Sequence, residues 1–237
     1  MVDKCTYRLA FAVVVAVVRV RRARQEPVGA DGVQIVPRDA GQAQQQRGLE
    51  QQREQLVARV QDTKEAQQDA KKEFQSALDQ FLAITGKHGK FTDLESKYHK
   101  LQGEYEDAKD AADTVHKRIA SVEDVSSALF KEWRGELNQY ESPAMRSNSE
   151  RLLRDTERKY DQLHDAMKAA EAMMDPVLSA FRDQTLFLKH NLNAQAIASL
   201  QDDATQIQGD VARLIQDMQK SIDEATAFID QMNKQGA

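Results

Sequence analysis

Five histidines could serve as general bases or metal ligands: His88, His99, His116, His164 and His190. No two of them stand at the i, i+4 spacing that places a pair of imidazoles on one helix face. Asp161 and His164 are the nearest approach to a carboxylate-x-x-His pair. A carboxylate-bridged metal bundle needs two such motifs and two further inward glutamates, so no metal site is expected. The acid pairs Glu104/Glu106 and Asp202/Asp203 would suit proton transfer only if both members faced one site. On a helix, residues one or two apart point in different directions, and these read as solvated faces. Ser126 and Ser127 lie in a helical stretch, where a hydroxyl usually bonds back to a preceding carbonyl. There is no glycine-rich phosphate loop and no nucleophile elbow. The expectation is a protein that is not an enzyme, with no catalytic residues and no cofactor.

Two apolar groupings remain. Met167, Met173 and Met174 could form an adaptable groove, but Met167 and Met174 fall on a helical seam and read as core. Leu186, Phe187 and Leu188 are three consecutive apolar residues, more than one seam can bury. With His190 and Asn193 they make the best candidate partner surface: Leu186, Phe187, His190 and Asn193.

The elements that carry these residues follow from periodicity. Phe91, Leu94, Tyr98, Leu101, Tyr105, Ala108, Ala112, Val115, Ile119 and Val122 recur at alternating spacings of three and four. Leu129, Trp133 and Tyr140 continue the count, while Ser126 and Glu136 miss it with Val125 and Leu137 one residue away. That is the seam of a long helix. A preceding seam runs Leu49, Leu56, Val60, Thr63, Gln67, Ala70, Phe74, Ala77, Phe81 and Ile84. A following one runs Leu153, Thr156, Tyr160, Leu163, Met167, Ala170, Met174, Val177, Phe181 and Leu188. The last runs Ile197, Leu200, Ala204, Ile207, Val211, Leu214, Met218, Ile222, Ala225, Ile229 and Met232.

Punctuation agrees. Gly86 and Gly89 bracket a turn, and Thr92 with Glu95 forms a capping box. Ser142-Pro143 ends the second helix, and Ser147 with Glu150 opens the third. Pro176 keeps phase with its neighbours and predicts a kink without a break. Asn191 and Asn193 mark the last turn. The predicted fold is all-α: an elongated antiparallel bundle of four long helices, about 49–85, 92–140, 144–190 and 194–234, with coiled-coil-like heptad seams. Residues 49–237 would form one domain.

Residues 1–48 differ in character. Leu9–Val18 is an apolar run too short to cross a bilayer as a helix. Basic residues flank it on both sides, no small-residue cleavage site follows, and the lone Cys5 precedes it, so a signal peptide is only half written. A disordered or targeting leader is expected, and membrane association through it alone. The net charge of −5 hides an asymmetry: residues 1–49 carry eight Lys/Arg and four Asp/Glu, leaving 25 and 34 in the remainder. So acidic a body argues against nucleic acid as a partner.

The stretches Arg53–Val60, Ala128–Trp133 and Phe187–Ala194 resemble those of an uncharacterised bacterial family known only as a domain of unknown function. The likeness covers about residues 53–233. It implies an all-helical protein of the cell envelope, on the periplasmic side, often with a signal or lipoprotein leader; it supplies no catalytic residues. The first 50 residues depart from that pattern, leaving a cytoplasmic location open. The expected role is a non-enzymatic helical scaffold or protein-interaction protein, with a protein partner or self-association. The alternative is a membrane-active bundle, which would require a long apolar hairpin or a basic amphipathic face.

Overall fold

The computed structural model describes residues 38–85 and 94–235, with side chains from Arg47 onward except Ala194. The chain falls into two units, Met1–Arg38 and Asp39–Ala237, and the second carries every described side chain. Cys5, the run Leu9–Val18, the Gly86–Gly89 turn with His88, and Phe91 and Thr92 lie outside the described residues.

The protein is all-α, with no strand among the described residues. The long helices are α1 (Arg38–Thr85), α2 (Leu94–Glu136), α3 (Pro143–His190) and α5 (Gln201–Gln235), with a short α4 (Ala194–Ser199) leading into α5. At 1.5 Å per residue, α1, α2 and α3 are each roughly 65–72 Å long.

Inter-helix contacts define the neighbours. Gln52 bonds Glu132 and Asp62 bonds Arg118, joining α1 to α2. Trp133 with Ser149 and Glu123 with His164 join α2 to α3. Thr156 with Gln235 and Gln184 with Asp203 join α3 to α5. Arg53 with Met232 and Lys71 with Gln219 close the set between α1 and α5. In every case residue numbers rise along one helix as they fall along the other.

The seams account for the core. Leu56, Val60, Phe74, Phe81, Leu101, Val115, Leu129, Met167, Met174, Phe181, Val211 and Met218 are all buried. The polar seam members Thr63 and Gln67 are 0% exposed as well. Ser126 is buried and Val125 only half-buried, so the seam passes through the serine. Its hydroxyl donates to the Glu123 carbonyl at 2.9 Å, which makes burial tolerable.

Several boundaries differ from those read from periodicity. α1 begins at Arg38, well before Leu49, because residues 39–47 are rich in Ala and Gln, which favour helix without an apolar stripe. α2 ends at Glu136 and gives way to a 3₁₀ turn, Leu137–Gln139. Gly135 and Asn138 are poor helix formers at that point. Tyr140 therefore leaves the seam and is exposed.

Ser142 and Pro143 do not merely end α2. Ser142 is the N-cap of α3, its hydroxyl accepting from the Met145 amide, and Pro143 occupies the first turn. The expected Ser147–Glu150 box lies inside the helix, where Glu150 accepts from Arg146. Proline pre-sets the helical φ and loses nothing at N1, so the earlier start wins. α3 continues through Pro176, which sits on the exposed side. The last segment divides at Leu200, whose N–H bonds the Ile197 carbonyl in a tightened turn, yet Leu200 stays buried and the seam continues.

Candidate functional site

Where α2 runs into α3, the core separates into a second, smaller cluster of Phe130, Trp133 and Leu153. Trp133 is held by a hydrogen bond from its Nε1 to Ser149 Oγ, 2.9 Å long. Indole and hydroxyl are both buried, so each satisfies a group that would otherwise be stranded. Tyr160 bridges this cluster to the main core, edge-on to Phe130 at 5.4 Å and to Phe228 at 6.4 Å. Burial raises the Tyr160 pKa, a hydrogen bond with Ser126 acting in the opposite direction.

Beside Trp133 opens a cleft of about 870 Å³, lined by α1, α2, the α2–α3 turn, α3 and the end of α5. Leu49, Val57, Leu152, Ile229 and Met232 form apolar wall, and the exposed Tyr140 and Met145 also line it. Arg53 reaches in from α1. Its guanidinium lies 5.9 Å from the Trp133 ring centre, and Nη2 donates to the Met232 carbonyl at 3.3 Å. A cation at the C-terminal turns of α5 meets the negative end of that helix. Burial lowers the Arg53 pKa, partly offset by Glu50.

Glu136 lines the same cleft. Its Oε1 is closed off from solvent and has no hydrogen-bond partner. Burial raises the Glu136 pKa, and the like charge of Glu132, one turn earlier, adds to it. Glu132 itself accepts from Gln52.

A second polar cluster joins α2 and α3. His164 Nε2 is 2.8 Å from Glu123 Oε1, and the imidazole stacks on Tyr160 with centroids 5.7 Å apart. Lys168 Nζ lies 3.8 Å from the same Glu123 oxygen and pairs with Glu171. The Lys168 pKa is raised, first by its hydrogen bond to Glu171. In the sequence Asp161 with His164 is the closest approach to a carboxylate-x-x-His pair. Asp161 is exposed, and the carboxylate comes instead from the neighbouring helix, a pairing that no local spacing encodes.

The sequence-derived surface lies elsewhere. Leu186 and Phe187 are 49% and 39% exposed, while Leu188 is fully buried. His190 is exposed in the last turn of α3. Asn193 serves as the N-cap of α4, its Oδ1 accepting from the Ala196 amide at 3.0 Å. These residues sit at the C-terminal end of α3, and the cleft sits at its N-terminal end, so the two do not meet. Of the methionines, Met167 and Met174 are core and Met173 is half-buried.

Glu73, Glu104 and Asp107 bring three carboxylate oxygens within 4.8 Å of one another on α1 and α2. Glu73 and Glu104 are half-buried and Asp107 is exposed; with carboxylate oxygens alone the group would suit only a hard cation, and acidic clusters of this kind are common on helical surfaces. No helix among the described residues is long and apolar enough to cross a membrane.

These features define an all-helical bundle with an amphiphilic cleft at the end where α2 meets α3. Residues 42–232 match the family described as protein of unknown function (DUF2959), and the chain belongs to that family. No curated protein and no solved structure matches it.

Proposed function

We propose that this protein is a non-enzymatic helical scaffold or protein-interaction protein of the bacterial cell envelope, built as an antiparallel bundle with heptad seams. One observation carries the reading: where apolar side chains are large and exposed. Among the described residues these are Tyr140 and Met145 at the turn between α2 and α3, and Leu186 and Phe187 near the end of α3. The lengths between present charged and amide side chains. A bundle with polar flanks and apolar ends suits contacts made at its ends, because exposed apolar area is what association removes from water. The envelope assignment rests on the resemblance of Arg53–Val60, Ala128–Trp133 and Phe187–Ala194 to the bacterial family.

The test is cross-linking of the full chain in a native bacterial host, wild type beside a Leu186→Ser/Phe187→Ser variant, with fractionation of the cells. A defined cross-linked partner in the envelope fraction, lost in the variant, supports the proposal. Recovery of the protein solely as a monomer outside the envelope opposes it. Tight binding of the protein to lipid vesicles, with refolding, favours a membrane-active bundle instead.

A further inference from the structure

The cleft beside Trp133 carries an imbalance of charge that its own residues do not settle. Its lining includes three acids, Glu50, Glu54 and Glu136, and a single base, Arg53. Arg53 is already committed: to the Met232 carbonyl, to the face of Trp133, and electrostatically to Glu50. Among the described residues no ion pair engages Glu54 or Glu136. Glu136 Oε1 is in addition a buried acceptor without a donor. An acceptor atom shut off from water without a donor is costly even on a half-buried side chain, and the rest of that side chain borders the cleft. Glu132, one turn away, increases the local negative potential.

What would complete this site is therefore a donor and a cation, attached to something apolar enough to cover the wall of Leu49, Val57, Leu152, Ile229 and Met232. A volume of about 870 Å³ lies within the range of small-molecule sites, roughly 300–1,000 Å³.

We propose that this cleft binds a cationic amphiphile, an amine with an apolar tail, whose ammonium group is taken by the Glu136 carboxylate with Glu54 contributing charge. The tail lies along the apolar wall beside Trp133. The inference goes beyond the scaffold reading: it shares Tyr140 and Met145, which line the cleft, with that reading, but it does not depend on contacts at the Leu186/Phe187 end.

The experiment titrates the full-length protein at pH 7 with decylamine, decanoate and decanol, each below its micelle concentration. Calorimetry gives stoichiometry, and emission of the single tryptophan reports on the cleft. Decylamine is expected to saturate at one equivalent and to alter Trp133 emission, with decanol and decanoate at least about tenfold weaker. Glu136→Gln should weaken decylamine by about tenfold or more, the worth of one charge-assisted hydrogen bond, while still unfolding cooperatively. Decanoate binding as tightly as decylamine, and lost in Arg53→Gln, would overturn the proposal by making Arg53 the head-group partner. Equal affinity for decanol, or no saturable binding of decylamine, would also overturn it. So would a Leu/Lys helical peptide that binds where decylamine does not, because the occupant would then be a protein segment.

Discussion

Trp133 and Ser149 meet across the α2–α3 interface, indole Nε1 to hydroxyl Oγ at 2.9 Å, and both are 7% exposed. The hydrogen bond fixes the ring in the plane where Arg53 covers one part of its surface. Ser149→Ala would strand the indole N–H in a site that water barely reaches. The loss should be about 1–2 kcal/mol in urea unfolding, the usual penalty for a buried donor left unpaired. Trp133→Ala should cost about 3–5 kcal/mol, since a large aromatic leaves the small core it shares with Phe130 and Leu153. Blue-shifted emission of the native indole is the companion observation; a red-shifted spectrum would place the ring in water.

Gln67 occupies a seam position of α1 at 0% exposure, and neither its Oε1 nor its Nε2 has a partner. An amide so placed costs free energy that an apolar side chain of similar size would not. Gln67→Leu is expected to raise stability by about 1–3 kcal/mol, read as a higher urea midpoint at unchanged m value. A decrease would show that the amide is hydrogen-bonded in solution. Buried polar residues on helical seams can fix register. A more stable variant that also changes its oligomeric state would assign Gln67 that task.

The seams are legible in the sequence because burial on a long helix follows period alone, and even Thr63 and Gln67 are buried where the count places them. Phe130 and Phe228, both buried, are not on the count. An apolar stripe wider than one seam residue per turn admits a neighbour wherever an adjoining helix leaves room. Helix ends are less legible: capping depends on Ser142 and Pro143 acting together, and Tyr140 falls off the seam once α2 stops at Glu136. The cleft is not legible at all. Arg53, Trp133, Glu136 and Met232 come from three helices, and no spacing along the chain relates them. Its sole sequence signal is the aromatic Trp133 on a seam near a helix end.

Glu136 gives the protein a signed pH dependence. Its carboxyl pKa is raised from the ordinary 4.5 by burial, then by the charge of Glu132. The native chain thus holds this proton more tightly than the unfolded chain. Below the ordinary carboxylate value the group's contribution to stability is fully present, and it is lost as pH rises through the native pKa. Glu136→Gln should therefore melt higher than wild type at pH 7. At pH 4 the gap should shrink towards zero, because wild-type Glu136 is then largely protonated. Carboxylates away from the cleft titrate alike in both proteins, so the difference between the two melting curves reports on Glu136 together with Glu132, which feels its charge. A gap of the same size at both pH values would count against the burial of this carboxylate.

Leu186, Phe187 and Leu188 are adjacent in sequence and opposite in consequence. Leu188 is fully buried, whereas Leu186 and Phe187 keep 49% and 39% of their surface in water. Consecutive helical residues are turned about 100° from one another, so a single seam takes in one of the three. Leu188→Ala should cost about 2–5 kcal/mol by leaving a cavity in packed core. Leu186→Ser and Phe187→Ser should each change stability by little, of the order of 0.5 kcal/mol, since surface substitutions disturb few packed atoms. The same two variants should alter association if this end of the bundle is a contact surface. Urea denaturation and sedimentation velocity on the three single variants separate the effects. A Leu186→Ser or Phe187→Ser protein that loses several kcal/mol would mean that these side chains are covered in the native molecule. Unchanged stability together with unchanged self-association and partner binding would remove them from the interaction surface altogether.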